Sequence, residues 1–429
     1  MKYKSHAASD LASAGEGQEV KIAGWVRESR DLGHIKFVVL ADSTGEVQVT
    51  WKSDEGSQEL GETLSSLRQN DVFMVSGRVR KSSIARSGLE ISPTEVVVLT
   101  KARHPLPLDV TGEIEAGLDV RLDFRPLDLM RPQTRRIFRL YSDVLRHIRE
   151  FLVGNGFVEV VSPKLIAQAT EGGANLFSLD YFDTKAFLAQ SPQLYKEQLT
   201  IGLERVFEIA TFFRAEPFDT TRHLNEFVSM DLEAAFADHN DMMDLLEKMV
   251  MSVVQSILAN EPTNKAVGKG WRNLSLPFPR YRYDEIFDRI VARGMHARYG
   301  EDLSSEHLKQ IEGLSGLYFI TDWPKKAKPF YIKVKEASDL TDSFDFMCDT
   351  LEVCSGGSRE ENLSRLRSRI IECGLDPDGF REHLKFFEIG MPPHAGWGLG
   401  FDRFMMALTG LQNIREVVLY PRDKARLIP

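Results

Sequence analysis

Between Val206 and Phe227 the chain reads VFEIATFFRAEPFDTTRHLNEF. An apolar run ends in Arg214-Ala215-Glu216, a polar loop follows, and Arg222-His223 lead back to apolar Phe227. The pattern predicts two antiparallel strands joined by a cationic loop, which commits the middle of the chain to a hairpin. Arginine suits such a loop because its planar fork binds phosphate oxygens in pairs. An upward-facing aromatic such as Phe227 can stack a purine. The plainer alternative is a surface hairpin whose charges pair with each other, since exposed Arg/Glu pairs are common and individually weak.

Two further segments bear on this choice. GMPPHAGWGLGFDRFMMALTGL, Gly390 to Leu411, places Gly396, Gly398 and Gly400 where the backbone can approach a ligand closely. Arg403 follows on the first turn of an apolar helix containing Phe404, Met405, Met406 and Leu408. No long βαβ crossover follows these glycines, so a dinucleotide-binding fold is rejected. Upstream, Ile137, Leu140, Tyr141, Val144, Leu145, Ile148 and Leu152 recur with a helical period before GFVEVVSPKL, Gly156 to Leu165. Together the three segments resemble the motifs of class II aminoacyl-tRNA synthetases. The hairpin resembles motif 2, whose Arg holds the α-phosphate of ATP. The glycine strand and its helix resemble motif 3, whose Arg contacts the terminal phosphate. The helix, turn, strand and Pro163 resemble motif 1, which forms the dimer interface in that class.

At 429 residues the chain is long enough for two or three domains with their own cores. Its composition, 42% hydrophobic and 27% charged, is globular, and no apolar run reaches membrane-span length. The stretch MKYKSHAASDL lacks the apolar core of a signal peptide. Cys348, Cys354 and Cys373 have neither a zinc spacing nor a disulfide framework, so a reducing cytoplasm is expected. Cys354 lies beside the expected site with no paired base and reads as packing. A net charge of −9 argues against strong non-specific nucleic-acid binding. Residues 1–104, however, hold 14 Lys and Arg against 14 Asp and Glu, so the deficit lies in the rest. A near-neutral N-terminal module can bind a nucleic acid through local basic and aromatic groups.

Residues 1–104 read as all-β. KIAGWVRESRDLGHIKFVVLADSTGEVQVTW supplies three strands with turns at Arg30–Gly33 and Asp42–Gly45, and DVFMVSGRVRKS and LEISPTEVVVL add two more. With a short helix near Leu60–Leu67, five strands predict an OB-fold barrel, which binds single-stranded nucleic acid on an open face. Phe37 and Trp25 offer stacking, and Arg27, Arg30 and Gln48 offer base contacts. The alternative places both aromatics in the core, and Trp25 is assigned there. Residues 105–132, with their prolines and mixed charges, read as a linker or hinge. Residues 133–429 are expected to form a catalytic domain, helical near Asn240–Ala259 and less regular from 260 to 325.

Over almost its whole length the chain resembles aspartyl-tRNA synthetases of the archaeal and eukaryotic type, in subclass IIb. The resemblance implies an α+β protein: an N-terminal five-stranded OB-fold anticodon-binding domain and an antiparallel sheet of six or seven strands flanked by helices. It implies a homodimer acting on ATP, L-aspartate and tRNA-Asp with Mg²⁺, and leaves open whether tRNA-Asn is charged too. Residue by residue, Arg214, Glu216, His223, Phe227, Glu352, Gly400 and Arg403 would hold ATP, with Arg214 and Arg403 catalytic. Asp345, Glu352 and Ser355 would take the metal. Glu171, within ATEGGANLF, and Asp231 would meet the substrate ammonium. QSPQLYKE would place Gln193 near the amino acid and Lys196 on its side chain. Ser355 would lie beside the substrate, and Arg359 would take its carboxylate. Two cations on one carboxylate stabilise a charged side chain and leave neutral asparagine without compensation. Arg27, Phe37 and Gln48 would read the anticodon. Bland alternatives stand beside these: Lys196 as a solvated helix residue, Asp345 and Glu352 as surface charges on a strand pair, and His223 as a structural histidine. His394, after Pro392-Pro393, is a further candidate to line the site.

The chain departs from the family at Pro217-Phe218-Asp219, at Cys348-Asp349-Thr350 and at Ser358. The first bears on the contact with the acceptor end of tRNA, the others on hydrogen bonding in the pocket. Asparaginyl-tRNA synthetases share the fold but usually lack a lysine at position 196. Synthetase-derived asparagine-forming ligases usually lack the anticodon domain, and a silent paralogue would not need Arg214 and Arg403. In this family a Trp or a His on the strand after the Gly-Trp pair accompanies strict or relaxed reading of the third anticodon base. Arg27 occupies that position and matches neither.

Overall fold

The computed structural model describes residues 2–167, 176–217 and 220–429. They fall into two units, Met1–Pro132 and Gln133–Pro429. In the first, β1 (Glu19–Asp31), β2 (Ile35–Ala41), β3 (Glu46–Lys52), β4 (Val72–Lys81) and β5 (Leu89–Thr100) close into a barrel in the order β1-β2-β3-β5-β4. Alternation decides its inside: Val20, Ile22 and Val26 of β1 meet Val38, Leu40, Val47, Val49 and Phe73 in one core. The helix Gln58–Ser65 lies between β3 and β4, capped by Ser57 Oγ accepting from the Leu60 N–H. Trp25 is not a core residue, contrary to expectation. It occupies an outward position of β1 and is 40% exposed, while the buried indole is Trp51. The 105–132 segment has more structure than a linker composition suggests. It contains the short helices Leu118–Asp123 and Arg125–Asp128, and a buried Arg125–Asp128 ion pair of 2.8 Å.

The second unit adds β6 (Val158–Glu159), β7 (Leu165–Ile166), β8 (Ser178–Tyr181), β9 (Thr184–Leu188), β10 (Arg205–Phe213) and β11 (Glu226–Ala235). Then come β12 (Arg280–Arg282), β13 (Leu317–Thr321), β14 (Ser343–Cys348), β15 (Leu351–Ser358) and β16 (His394–Gly400). Eight of them form one sheet, ordered β12-β13-β14-β15-β16-β11-β10-β6. Six central strands pair antiparallel, as expected, but the edge strands β12 and β6 pair parallel with β13 and β10. Each parallel pair is bridged by a long connection that includes a helix, the usual crossover that returns a strand in the same direction. The stretch from 260 to 325 is more regular than its sequence implies: it holds β12, the helices Tyr283–Ala292 and Ser305–Lys309, and β13, around a core containing Tyr283, Ile290 and Trp323.

The central strands have two unlike faces. On β11 and β16, Met230, Leu232, Ala234, Ala395, Trp397 and Leu399 enter the main core, together with Leu140, Val144, Ile148 and Leu152 of the helix Pro132–Gly154. The opposite positions are Ser229, Asp231 and Glu233 on β11 and Gly400, Gly398 and Gly396 across from them on β16. After the Pro132–Gly154 helix the expected motif 1 strand is short. Only Val158 and Glu159 pair, and beyond Pro163, which lacks an N–H, the chain enters the small sheet β7-β9-β8.

Candidate active site

A cavity of about 330 Å³ opens on the glycine-bearing face of the large sheet. At one end stand the residues of the hairpin and the C-terminal helix. Arg214 follows β10; its N–H donates to Asn225 O at 2.9 Å, and its guanidinium lies 5.5 Å from the centre of the Phe227 ring. Arg403 sits on the first turn of the helix Phe401–Thr409, with Nε 3.3 Å from Arg222 O and Nη1 3.4 Å from Glu352 O. Burial lowers the Arg403 pKa against the pull of Glu352. Glu216, His223 and Gly400 line the same end. Burial, then the charge of Arg403, pushes the His223 imidazole below its ordinary value, and its Nδ1 lies 2.6 Å from Thr220 Oγ1.

A β-bulge brings the next group together. Asp345 pairs with Ser355 and Phe346 with Cys354, but Met347 pairs with Glu352, so Val353 is an extra residue. Without it Glu352 and Ser355, three apart, would face opposite ways. With it, Asp345, Glu352 and Ser355 share the cavity face while Phe346 and Cys354 enter the core. Asp345 is therefore no surface charge: it is buried and its Oδ1 is 2.6 Å from Lys328 Nζ, which also lies 3.4 Å from Ser355 Oγ. Enclosure in the cleft, then the Asp345 carboxylate, raises the Glu352 pKa above the usual carboxylate value. Among the described residues no three His, Cys, Asp or Glu side chains form a ready metal cage. Two carboxylates open to a cavity nevertheless fit Mg²⁺, which binds through one or two carboxylates plus substrate phosphates.

The other end is a closed charge network. Lys196 is buried, not solvated, with Nζ 3.1 Å from Asp231 Oδ1, 3.1 Å from Trp397 O and 3.6 Å from Glu233 Oε2. Arg359 grips Glu233 with two bonds, Nε to Oε1 at 2.8 Å and Nη2 to Oε2 at 3.1 Å, and lies over the Tyr331 ring. Gln193 Nε2 donates to Glu197 Oε1 at 2.6 Å. The glycines of β16 act differently from expectation. A Cβ at Gly396 would lie 2.3 Å from Glu233 Oε2, and one at Gly398 would lie 2.9 Å from Asp231 Oδ1. Those two glycines make room for the acids of β11, whereas a Cβ at Gly400 would meet nothing nearer than the Arg403 side chain at 3.6 Å.

Several expectations need revising. His394 is buried behind this end and is not among the cavity-lining residues; its Nδ1 faces Pro392 O at 2.8 Å. Ser358 Oγ accepts the His239 N–H at 2.9 Å, so this departure serves a helix start. Thr350 holds Arg222, whose Nη1 reaches Thr350 O at 3.3 Å and Ser305 Oγ at 2.5 Å. Glu171 lies outside the described residues, as do Phe218 and Asp219. Sequence reasoning missed Glu233, Lys328 and Glu197. Glu233 was accessible, being two residues beyond Asp231 on the same face of a strand; Lys328 is the extended residue just after the short 3-10 turn Lys325–Ala327, with no periodicity to flag it.

In the barrel unit, Phe37 is half-buried on β2. Gln48 Nε2 is 3.1 Å from both Thr50 Oγ1 and Glu90 Oε2. Arg27 does not present a free fork: it donates to Val110 O and, at 3.0 Å, to Thr111 O, and Nε lies 3.3 Å from Glu46.

Comparison with known proteins agrees with this geometry. The family of class II tRNA synthetases (D, K and N) matches residues 117–424, and the OB-fold nucleic acid binding domain matches residues 20–99. The aspartate–tRNA(Asp/Asn) ligase of Archaeoglobus fulgidus is 45% identical over 429 residues, 98% of this chain and 99% of the relative. The aspartate–tRNA(Asp) ligase of Pyrobaculum aerophilum is 45% identical over 428 residues, 99% of each chain. The structure of asparaginyl-tRNA synthetase from Pyrococcus horikoshii, complexed with asparaginyl-adenylate, superposes with a TM-score of 0.93 at 31% identity and covers all of both chains. With two arginines at one end of its cavity, a lysine and an arginine at the other, and these relatives along its whole length, the chain belongs to the class II tRNA synthetases (D, K and N).

Proposed function

We propose that the chain activates L-aspartate with ATP and transfers it to tRNA-Asp. The observation that carries this reading is the pair of buried cations, Lys196 and Arg359, converging on Glu233 at the end of the cavity away from Arg214 and Arg403. A substrate side-chain carboxylate can share these cations, whereas a neutral amide offers them no counter-charge. Relatives named as aspartate ligases, at 45% identity, support aspartate over asparagine.

The first step is an in-line displacement. The α-carboxylate oxygen bonds to the α-phosphorus, the bond to the bridging oxygen breaks, and pyrophosphate leaves. Arg214 would steady the α-phosphate and Arg403 the terminal one, with Phe227 beneath the adenine and Glu216, His223 and Gly400 around the nucleotide. Positioning and charge stabilisation suffice, and no covalent enzyme intermediate is required. Asp345 and Glu352, with Ser355 beside them, would hold Mg²⁺, which offsets phosphate charge when bound. Asp231 and Glu171 would meet the ammonium, and Gln193 would lie against the amino acid. In the second step a ribose hydroxyl of the terminal tRNA adenosine attacks the carbonyl carbon and AMP leaves.

Residues 1–104 would bind the anticodon, with 105–132 connecting them to the catalytic residues 133–429. Phe37 would stack a base and Gln48, oriented by Glu90, would read an edge. Arg27 is turned onto backbone carbonyls, which favours a relaxed third-base reading and hence charging of tRNA-Asn as well. A homodimer would cover the apolar side chains exposed around motif 1, among them Val161 at 91% exposure, with Val158 and Leu165. Among the described residues no helix is long and apolar enough to cross a membrane. The test is aspartate charging of tRNA-Asp and tRNA-Asn transcripts side by side with Mg-ATP. Charging of both is expected, tRNA-Asp alone would mean a strict enzyme, and charging of neither would overturn the reading.

A further inference from the structure

Behind the amino-acid end lies a buried cluster that the reaction above does not use. Glu197, on the helix Gln193–Leu203, is enclosed with His383 and His394. Its Oε1 accepts from Gln193; its Oε2 lies 3.4 Å from His383 Nε2 and 3.5 Å from His394 Nε2.

The neighbours of each ring fix where its protons sit. His394 Nδ1 is 2.8 Å from Pro392 O, and a carbonyl oxygen only accepts, so this nitrogen carries hydrogen. His394 Nε2 faces a carboxylate, which also only accepts. A neutral ring would set a lone pair toward Glu197, whereas an imidazolium keeps the Nδ1 hydrogen bond and places its positive Nε2–H at ion-pair distance, 3.5 Å, from the carboxylate. His383 differs: its Nδ1 lies 3.0 Å from Gln198 Nε2, an amide donor, so a neutral ring with its proton on Nε2 suffices.

We propose that His394 is a positioning residue for the amino-acid pocket: held as an imidazolium against Glu197, it fixes Gln193 and balances the buried acids that surround the substrate. The proposal rests on the aspartate reading given above. The charged groups at this end are Lys196, Arg359 and His394 against Asp231, Glu233 and Glu197. Loss of the charge on His394 leaves the set net negative, which repels a substrate carboxylate and weakens Glu197's hold on Gln193.

The groups facing His394 come from four elements: Glu197 on its helix, His383 on the segment Arg381–Leu384, Glu233 on β11, and Arg359, whose N–H donates to His394 O at 2.9 Å. Burial opposes a charged ring here, but the Glu197 carboxylate, with Glu233 behind it, outweighs burial and raises the histidine above its ordinary value. A raised histidine is charged below its folded pKa and loses that charge as pH rises through it. The KM for aspartate therefore climbs as pH rises through the folded pKa of His394, while the KM for ATP does not.

The test combines two measurements on the full chain. Pyrophosphate exchange between pH 6.5 and 9 separates KM from kcat for the unaltered protein and His394→Gln. The variant is expected to raise the aspartate KM on the order of tenfold, with kcat and the ATP KM little changed and the climb with pH abolished. NMR of isotope-labelled histidines in the unaltered protein should show His394 protonated on both nitrogens at pH 7.5. A neutral ring, or a variant with the original aspartate KM and pH profile, would overturn the proposal. Failure of the unaltered protein to exchange with aspartate would sink the aspartate reading instead, and the NMR result would still decide the charge. If the variant does not fold, the NMR result and the pH profile of the unaltered protein decide together.

Discussion

At the end of the cavity proposed for the amino acid each cation is held by a buried carboxylate: Lys196 by Asp231 at 3.1 Å, and Arg359 by both oxygens of Glu233. At the end proposed for the nucleotide Arg403 meets backbone carbonyl oxygens at 3.3 and 3.4 Å, and the Glu352 pKa is raised. The first arrangement suits discrimination. Its cations are fixed before the ligand arrives, and a substrate must match a preset pattern of charge. The second suits a polyanion, because a guanidinium hydrogen-bonded to carbonyl oxygens rather than gripped by a carboxylate gains most when phosphate oxygens replace them. One sheet face supports both, and register determines which residue lies where.

If the contrast holds, Lys196→Met should be the more damaging change to the fold. It leaves Asp231 and Glu233 buried with one cation between them, and breaking such a network costs about 3–5 kcal/mol. Urea unfolding should show that loss, and aspartate-dependent pyrophosphate exchange should vanish. Near-normal stability would mean that water already reaches the pair. Arg403→Ala should behave in the opposite way. Exchange should fall by about 10²–10³ in kcat, the usual effect of deleting one charge-stabilising donor, with unfolding little altered. A variant that loses stability and activity together would erase the distinction between the two ends.

The legible part of this molecule was whatever alternates. The hairpin at Arg214, the helix–turn–strand after Pro132 and the glycine spacing of β16 follow from local pattern, and so does Arg403 on the first helical turn. The barrel strands follow likewise, though Trp25 shows the limit: a large aromatic was assigned inward on hydrophobicity when its odd position in β1 faces out. The bulge at Val353 could not be read, because pairing between β14 and β15 is set by the whole sheet. Nor could the histidine partners of Glu197 or the arginine partner of Glu233, which arrive from segments far away in the chain, or the return of Lys328 onto Asp345. Residue types at the site were readable; whom they touch before a ligand binds was not.

A smaller effect isolates the glycine floor. Gly396→Ala would put a methyl group 2.2 Å from Leu232 O and 2.3 Å from Glu233 Oε2. Strand or carboxylate must move, and overpacking of this kind costs about 1–3 kcal/mol. Because Glu233 carries Arg359, the aspartate KM should rise more than the ATP KM. Gly400→Ala, with its nearest neighbour the flexible Arg403 side chain at 3.6 Å, should be milder in stability. Equal effects from both would mean that the glycines serve strand geometry alone.

An effect visible only as a change with pH concerns a carboxylate that ties the Arg403 end of the cavity to the long helix. Asp402 precedes Arg403, is buried, and accepts from the Val228 N–H at 2.8 Å and from Tyr141 OH at 3.2 Å. Unlike Asp231 and Glu233 it has donors but no cation at ion-pair distance among the described residues. Burial, opposed by those two hydrogen bonds, raises it from 3.8 to about 6. The direction of the pH effect follows from proton uptake. Between those two values the folded chain holds a proton that the unfolded chain has released, so stability from this group falls as pH rises toward 6 and stays low above it. Asp402→Asn removes the titration and keeps an acceptor for Val228. The stability of the unaltered protein relative to this variant should therefore decline between pH 4 and 7, by about 2–3 kcal/mol at most. A difference that does not change with pH would show the two donors hold the carboxylate ionised, which would make it, like the acids at the amino-acid end, a fully compensated charge.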